Sequence, residues 1–200
     1  MLPTQPAPLD APYTPPPPPT WWEKTVEYAF IQQAIRKWGM DFLAPLDAER
    51  EKEGAAQYAS ADKWLLIEFR KAKASVEQER ARFYDYDISR SVIEEMEHGG
   101  VVQSHFHRVV YGKKDPEGRF CLGSIPYWNT LYTQKNSKPV FLDNGGDLKT
   151  FVNYIEILMP MKKANMESSP FTSVIGFNSQ NKECFCMTLD DFFRHVRLKA

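Results

Sequence analysis

An uninterrupted apolar run, Trp64–Ile67, places the strongest constraint on how this chain can fold. The run is too apolar for a strand with one solvent-facing side, and it predicts a central strand, Trp64–Phe69, that is covered on both faces. Ala55–Ser60 predicts a preceding strand, and a short polar turn would join the two as a hairpin. Glu68 therefore lies at the end of a buried strand, where a carboxylate is costly unless a cation or a metal meets it.

Glu68 is followed two residues later by Arg70, and alternate residues of a strand share a face. Two interpretations follow from this spacing. An acid and a base on one side of a strand end are typical of the hairpin of a metal-dependent nuclease. Alternatively, Glu68 pairs with Arg70 or another basic group and marks the point where the strand leaves the core.

The composition indicates one globular domain with a proline-rich tail. Residues 1–19 carry nine of the fifteen prolines of the 200-residue chain, which predicts a polyproline II segment that is either a linker or a ligand for a partner. We therefore divide the chain into a tail, 1–19, and a single domain, 20–200. The formal net charge of −1 argues against a chain that coats nucleic acid by bulk electrostatics, although it permits a local basic patch.

The chain has three cysteines, an odd number whose spacing does not match a disulfide framework, and this favours reduced thiols and a cytoplasmic location. Cys184 and Cys186 alternate in a predicted strand and are expected in the core. Because no apolar run approaches the ~20 residues needed to cross a bilayer, we expect no membrane insertion.

The periodicity predicts an α/β (α+β) chain that begins with a helix from Thr20 to Gly39. Its later elements are expected in this order: a strand at Asp41–Asp47, the hairpin, a helix at Ser75–Glu97, a strand at Val101–Tyr111, a helix at Leu148–Met159, a hairpin of Ser173–Phe177 and Glu183–Thr188, and a helix at Leu189–Val196. Residues 113–147 carry no clear period.

This order, with the sequence IEFRK at Ile67–Lys71 and with Glu27 in the first helix, resembles the PD-(D/E)xK, or restriction-endonuclease-like, superfamily. The resemblance covers residues 20–112. It implies an αβββαβ core, to which residues 113–200 add a helix, a hairpin and a helix.

The resemblance also implies a site for Mg²⁺, whose ligands would be oxygen atoms. Glu68 would be the second hairpin acid, Glu27 the helix acid, and Arg70 would take the place of the catalytic lysine, with Lys71 beside it. The first hairpin acid is missing at residues 55–57, and Asp47 is a displaced substitute. Since Arg cannot act as a base and Mg²⁺ has few protein ligands to lose, we expect a degenerate site without cleavage and without a cofactor.

Basic residues near the predicted hairpin and the strand that follows the second helix indicate a nucleic-acid contact: Lys71, Lys73, Arg108, Lys113 and Lys114. Scattered solvated charge is the alternative. His105 and His107 would share a strand face and suggest a metal pair, with packing as the alternative.

Three functions remain open from the sequence. The first is a nuclease-like module of a bacterial or phage system, for example in defence, counter-defence or a mobile element, that binds protein or nucleic acid. The second is an active Mg²⁺-dependent DNase that uses Glu27, Glu68 and a relocated acid. The third is a self-associating assembly subunit in which the proline-rich arm contacts a neighbouring copy.

Overall fold

The structure is a computed structural model that describes residues 21–43, 61–73, 80–128, 145–163 and 172–197. Asp47, the proline-rich tail 1–19 and the predicted strand Ala55–Ser60 lie outside these ranges. The described elements, in chain order, are α1 (Glu23–Trp38), β1 (Asp41–Leu43), β2 (Lys63–Arg70), α2 (Tyr86–His98), β3 (His107–Lys114), β4 (Phe120–Pro126), α3 (Leu148–Leu158), a 3₁₀ turn (Met159–Met161), β5 (Thr172–Phe177), β6 (Glu183–Thr188) and α4 (Leu189–Arg197).

The described strands form one six-stranded mixed sheet in the order β1-β6-β5-β2-β3-β4. β2 is central, and all its residues from Trp64 to Arg70 are buried, which confirms the strand predicted from the apolar run. β2 pairs with β3 in parallel and with β5 in antiparallel orientation. The α2 crossover between β2 and β3 is therefore the predicted parallel unit.

The predicted hairpin between Ala55–Ser60 and Trp64–Phe69 is wrong. β5 occupies one edge of β2 from Lys63 to Glu68, and β3 occupies the other edge from Leu66 to Arg70. Gly146 completes that second edge through backbone hydrogen bonds with Trp64 in both directions. A central strand has two hydrogen-bonding edges, so β2 has no edge left for a hairpin partner.

The helices cover the two faces of the sheet. On one face α1 packs against β2, and the rings of Phe30 and Phe69 are 5.7 Å apart. On the other face Trp64 contacts Phe151 of α3 and Phe192 of α4 at 5.9 and 5.3 Å. Because side chains alternate along a strand, Phe69 and Trp64 must lie on opposite faces of β2.

The second helix is shorter than its sequence pattern predicts. α2 begins at Tyr86, where Asp85 accepts a hydrogen bond from the backbone N–H of Ile88 and caps the helix. Phe83 instead forms a β-bridge with Lys162, which removes it from the helical register. The first half of the predicted helix Ser75–Glu97 is therefore not α-helical over residues 80–85, and residues 74–79 lie outside the described ranges.

The other predicted elements are found with shifted ends. α1 begins at Glu23 rather than near Thr20, and it ends at Gly39, whose φ of 63° suits a residue without a side chain. β3 begins six residues later than predicted, and β4 lies in the region that had no clear period. The late hairpin, α3 and α4 are confirmed, as is the mixed α/β class. In the described part of the chain no helix combines the length and the apolarity that a membrane crossing requires.

Candidate functional site

Glu68 is the fully buried centre of an ionic cluster. Its Oε1 accepts a hydrogen bond from Lys162 Nζ at 3.2 Å, and its Oε2 accepts one from Thr172 Oγ1 at 2.7 Å. Arg82 Nη1 lies 3.3 Å and Arg70 Nη2 lies 3.7 Å from Oε2. Glu68 is 0% exposed. Both of its oxygen atoms are thus engaged by protein groups.

Three separate parts of the chain bring these partners to Glu68. Thr172 is the β5 residue directly opposite Glu68 in the antiparallel register. Lys162 follows the 3₁₀ turn that ends α3, and its backbone pairs with Phe83. Arg82 lies one residue before Phe83, and its carbonyl accepts a hydrogen bond from Lys163. The bridge between these two segments therefore fixes the distance from both cations to the carboxylate.

The charges of the cluster stabilise the ionised form of Glu68. Burial alone would raise the pKa of this carboxyl, but the attraction of Lys162, Arg70 and Arg82 outweighs it and lowers the pKa to about 2. Burial lowers the pKa of Lys162, and the carboxylate of Glu68 partly opposes this effect. We conclude that Glu68 is a permanently charged acceptor at neutral pH.

The structure does not bring together Glu68 and Glu27, two of the three predicted metal ligands; the third, Asp47, lies outside the described residues. Glu27 lies on α1, on the face of the sheet that Phe69 occupies, and Glu68 points to the opposite face with Trp64. The sheet separates the two carboxylates, so they cannot share one cation. Among the residues that the structure describes, no group of three or more His, Cys, Asp and Glu side chains is close enough to hold a metal.

Glu27 has local partners instead. Its carboxylate accepts a hydrogen bond from Lys24 Nζ at 2.6 Å, one helical turn earlier. Burial raises the pKa of the Cys186 thiol on β6 to about 11, and the charge of Glu27 contributes to this rise. Burial also raises the pKa of Cys184. These thiols are core groups, as expected from their alternation.

His107 is a buried structural group. Tyr154 Oη accepts a hydrogen bond from Trp128 Nε1 at 2.9 Å and shares a hydrogen bond with His107 Nδ1 at 2.5 Å. The imidazole stacks on Tyr127 at 3.7 Å, and burial and the charge of Lys162 hold its pKa well below the usual value. β3 begins at His107, and His105 is exposed in the preceding turn. His107 is therefore packed in the core, as the alternative had it, whereas His105 lies outside β3, so the two imidazoles do not share a strand face.

Four of the five predicted nucleic-acid contacts lie at one end of the sheet. Lys71 and Lys73 follow β2, and Lys113 and Lys114 end the parallel strand β3; all four are exposed. Arg108 lies six residues before Lys114, which is about 20 Å along a strand. It is partly buried and donates a hydrogen bond to Ser124 Oγ. Arg108 therefore belongs to the packed part of β3.

Aromatic side chains lie beside these lysines. Trp21 donates a hydrogen bond from Nε1 to the carbonyl of Lys71, and its ring meets Phe120 edge-on at 4.9 Å. Gly112 makes this contact possible, because a Cβ at this position would lie 2.1 Å from Trp21 Nε1. Phe120 pairs with Lys114 across β3 and β4.

The next residue, Trp22, is 69% exposed. We call Trp21, Trp22, Lys71, Lys114 and Phe120 the aromatic–basic surface. Trp22 directly follows Trp21 in the chain, and such exposure is unusual because large aromatic side chains are mostly buried in folded proteins.

Pairing of Glu68 with Arg70 or another basic group was one of the two interpretations of the sequence, which did not indicate Lys162 or Thr172 as partners. These two residues are 94 and 104 positions away from Glu68. The sequence marks the end of a helix at Pro160, but no pattern in it indicates that Lys162 or Thr172 contacts Glu68. The contact of Trp21 with Lys71 has no sequence signal either.

The fold and the site define a mixed α/β protein with a buried ionic cluster in place of an open carboxylate centre. Comparisons of the chain with protein-family models, with curated proteins and with solved structures found no match.

Proposed function

We propose that this protein acts by binding a macromolecular partner and does not cleave nucleic acid. The observation that carries the proposal is the state of Glu68, the residue on which a nuclease centre would depend. It is fully buried, and three cations and a hydroxyl surround its two oxygen atoms.

The geometry opposes metal-assisted hydrolysis for two reasons. Mg²⁺ in such enzymes binds to one or two carboxylates and keeps several waters, so its ligands must be open to solvent. A cation at Glu68 would also lie within a few ångströms of Lys162, Arg70 and Arg82, which repel it. The resemblance to PD-(D/E)xK nucleases is therefore, in our proposal, one of element order over part of the chain.

A cleavage assay tests this proposal. The full-length protein is incubated with supercoiled plasmid, with single-stranded circular DNA and with RNA, each with Mg²⁺ or Mn²⁺ and each with a chelator. We expect all substrates to remain intact. Glu68→Gln and Glu27→Gln are assayed in parallel.

Metal-dependent cleavage that co-elutes with the protein in gel filtration would contradict the proposal. Loss of that cleavage in Glu68→Gln, with retention in Glu27→Gln, would assign it to the ionic cluster. Circular dichroism of both variants ensures that a loss of activity does not reflect unfolding.

A further inference from the structure

We infer that the aromatic–basic surface binds single-stranded DNA, an inference that rests on the proposed binding function and names its partner. The surface combines two elements that single-stranded binding requires. Lysines attract the phosphates, and exposed aromatic rings provide planes on which bases stack.

Specific backbone and side-chain contacts position Lys71 and Trp21 within the aromatic–basic surface. The parallel strands β2 and β3 end side by side, and the register that pairs Arg70 with Tyr111 carries Lys71 to the level of Gly112. Trp21 lies over Gly112 and is held there by its hydrogen bond to Lys71. Backbone pairing and a side-chain hydrogen bond thus bring a lysine and a tryptophan from distant parts of the chain together.

Phe120 and Lys114 extend the same surface. They face each other across β3 and β4, on the side of the sheet to which Gly112 also belongs. Phe120 is 37% exposed although its edge packs on Trp21. Trp22, which precedes the first turn of α1, is the most exposed ring of the surface.

Nearby acids do not cancel this positive charge. The β3–β4 turn contains Asp115 and Glu117, and Arg119 pairs with both, at 2.8 and 3.1 Å. Glu27 on α1 pairs with Lys24. Asp115, Glu117 and Arg119 together leave one negative charge, and Glu23 in the first turn of α1 adds another. The four exposed lysines at this end of the sheet, Lys71, Lys73, Lys113 and Lys114, outnumber these charges, so the surface stays net positive.

The chemistry favours a single strand without a preference for its base sequence. None of the five members of the surface has a side-chain acceptor that could distinguish a 2′-hydroxyl, the group by which proteins recognise RNA. Stacking accepts every base, and an ammonium group contacts phosphate as a point charge. A duplex would keep its bases stacked on each other and would offer only its phosphates.

Fluorescence anisotropy of labelled oligonucleotides tests the inference with the full-length protein. The probes are an oligothymidylate of about 16 nucleotides, which spans a usual site for a single-strand-binding domain, a duplex of the same length and an oligouridylate. We expect binding of the single-stranded DNA at low salt that weakens as salt rises, weaker binding of the duplex, and no preference for the RNA.

Trp22→Ala and Lys114→Gln are the informative variants. Loss of one stacked base should weaken binding by roughly 5- to 150-fold. Loss of one phosphate contact should reduce the slope of log K against log[salt] by about 1. Tyr84→Ala is the matched aromatic control, because Tyr84 is also 69% exposed but precedes α2. Lys149→Gln is the charge control at the start of α3, near the other end of β2.

Binding that Tyr84→Ala and Lys149→Gln leave unchanged and that both informative variants weaken would support the inference. Absence of binding to all three probes would overturn it and would point to a protein as the partner. Equal binding by Trp22→Ala and the unmodified protein would also overturn it. Cleavage of a probe would instead overturn the proposed function, so the two failures are distinguishable.

Discussion

Substitution of Glu68 by Gln should strongly destabilise the protein. Gln preserves the shape of the side chain and can still accept a hydrogen bond from Thr172, but it removes the negative charge. Lys162, which is 1% exposed at its side chain, would then be buried without a carboxylate partner. Removal of one member of a buried ion pair costs about 3–5 kcal/mol.

The pKa of Glu68 gives an independent magnitude. A decrease from 4.5 in the unfolded chain to about 2 in the folded protein corresponds to roughly 3 kcal/mol of stability at neutral pH. Because the folded-state pKa is the lower one, this contribution is fully present above pH 4.5 and disappears as the pH falls through about 2. Glutamine does not titrate, so the difference in free energy of unfolding between Glu68→Gln and the unmodified protein should show this same dependence on pH.

Urea unfolding followed by tryptophan fluorescence measures both effects. At pH 7 we expect Glu68→Gln to lower the free energy of unfolding by about 3 kcal/mol or more, and the difference from the unmodified protein should shrink between pH 4.5 and pH 2. Glu117→Gln is the control, because Glu117 forms an ion pair with Arg119 that is exposed on both sides. A Glu68→Gln midpoint that matches the control would refute our account of the cluster.

Three further predictions concern other contacts. Gly112→Ala should cost about 1–3 kcal/mol in urea unfolding, because its Cβ displaces Trp21; an unchanged midpoint would contradict this packing. Tyr154→Phe should cost about 1–3 kcal/mol, since it leaves His107 Nδ1 buried without its hydrogen-bond partner; a neutral effect at pH 7 would show that this hydrogen bond does not stabilise the fold. In native protein the partly exposed Cys121 should react with iodoacetamide before Cys184 and Cys186 of β6, because burial raises the thiol pKa of those two residues. Mass spectrometry of the digest would show the order of labelling, and faster labelling of the β6 cysteines would contradict the prediction.

Local patterns predicted the elements whose signals are confined to a few neighbouring residues. The apolar run at Trp64 gave the central strand, and the alternation in Thr172–Phe177 and Glu183–Thr188 gave the late hairpin. The error at the start of α2 has a tertiary cause. Its periodicity is helical, but Phe83 is held by a bridge to Lys162, a residue of a distant segment.

The order of the strands could not be predicted from sequence patterns either, because the strands that pair lie far apart in the chain. Adjacent segments such as Ala55–Ser60 and Trp64–Phe69 invite the prediction of a hairpin, because neighbours in sequence usually pair. β5, which pairs with β2 in the structure, lies about 100 residues further along the chain. The hydrogen bond between Thr172 of β5 and Glu68 of β2 joins residues 104 positions apart. The choice between a metal and an ion pair at Glu68 depended on this pairing.

The sheet order has a consequence for synthesis on the ribosome. β1 lies early in the chain, but its neighbour in the sheet is β6, which is made about 140 residues later. Until β5 and Lys162 have left the exit tunnel, the central strand has an open edge and its carboxylate has no ammonium partner, so Glu68 must remain hydrated. We therefore expect nascent chains that stall before residue 162 to expose an incomplete sheet and to depend on chaperones.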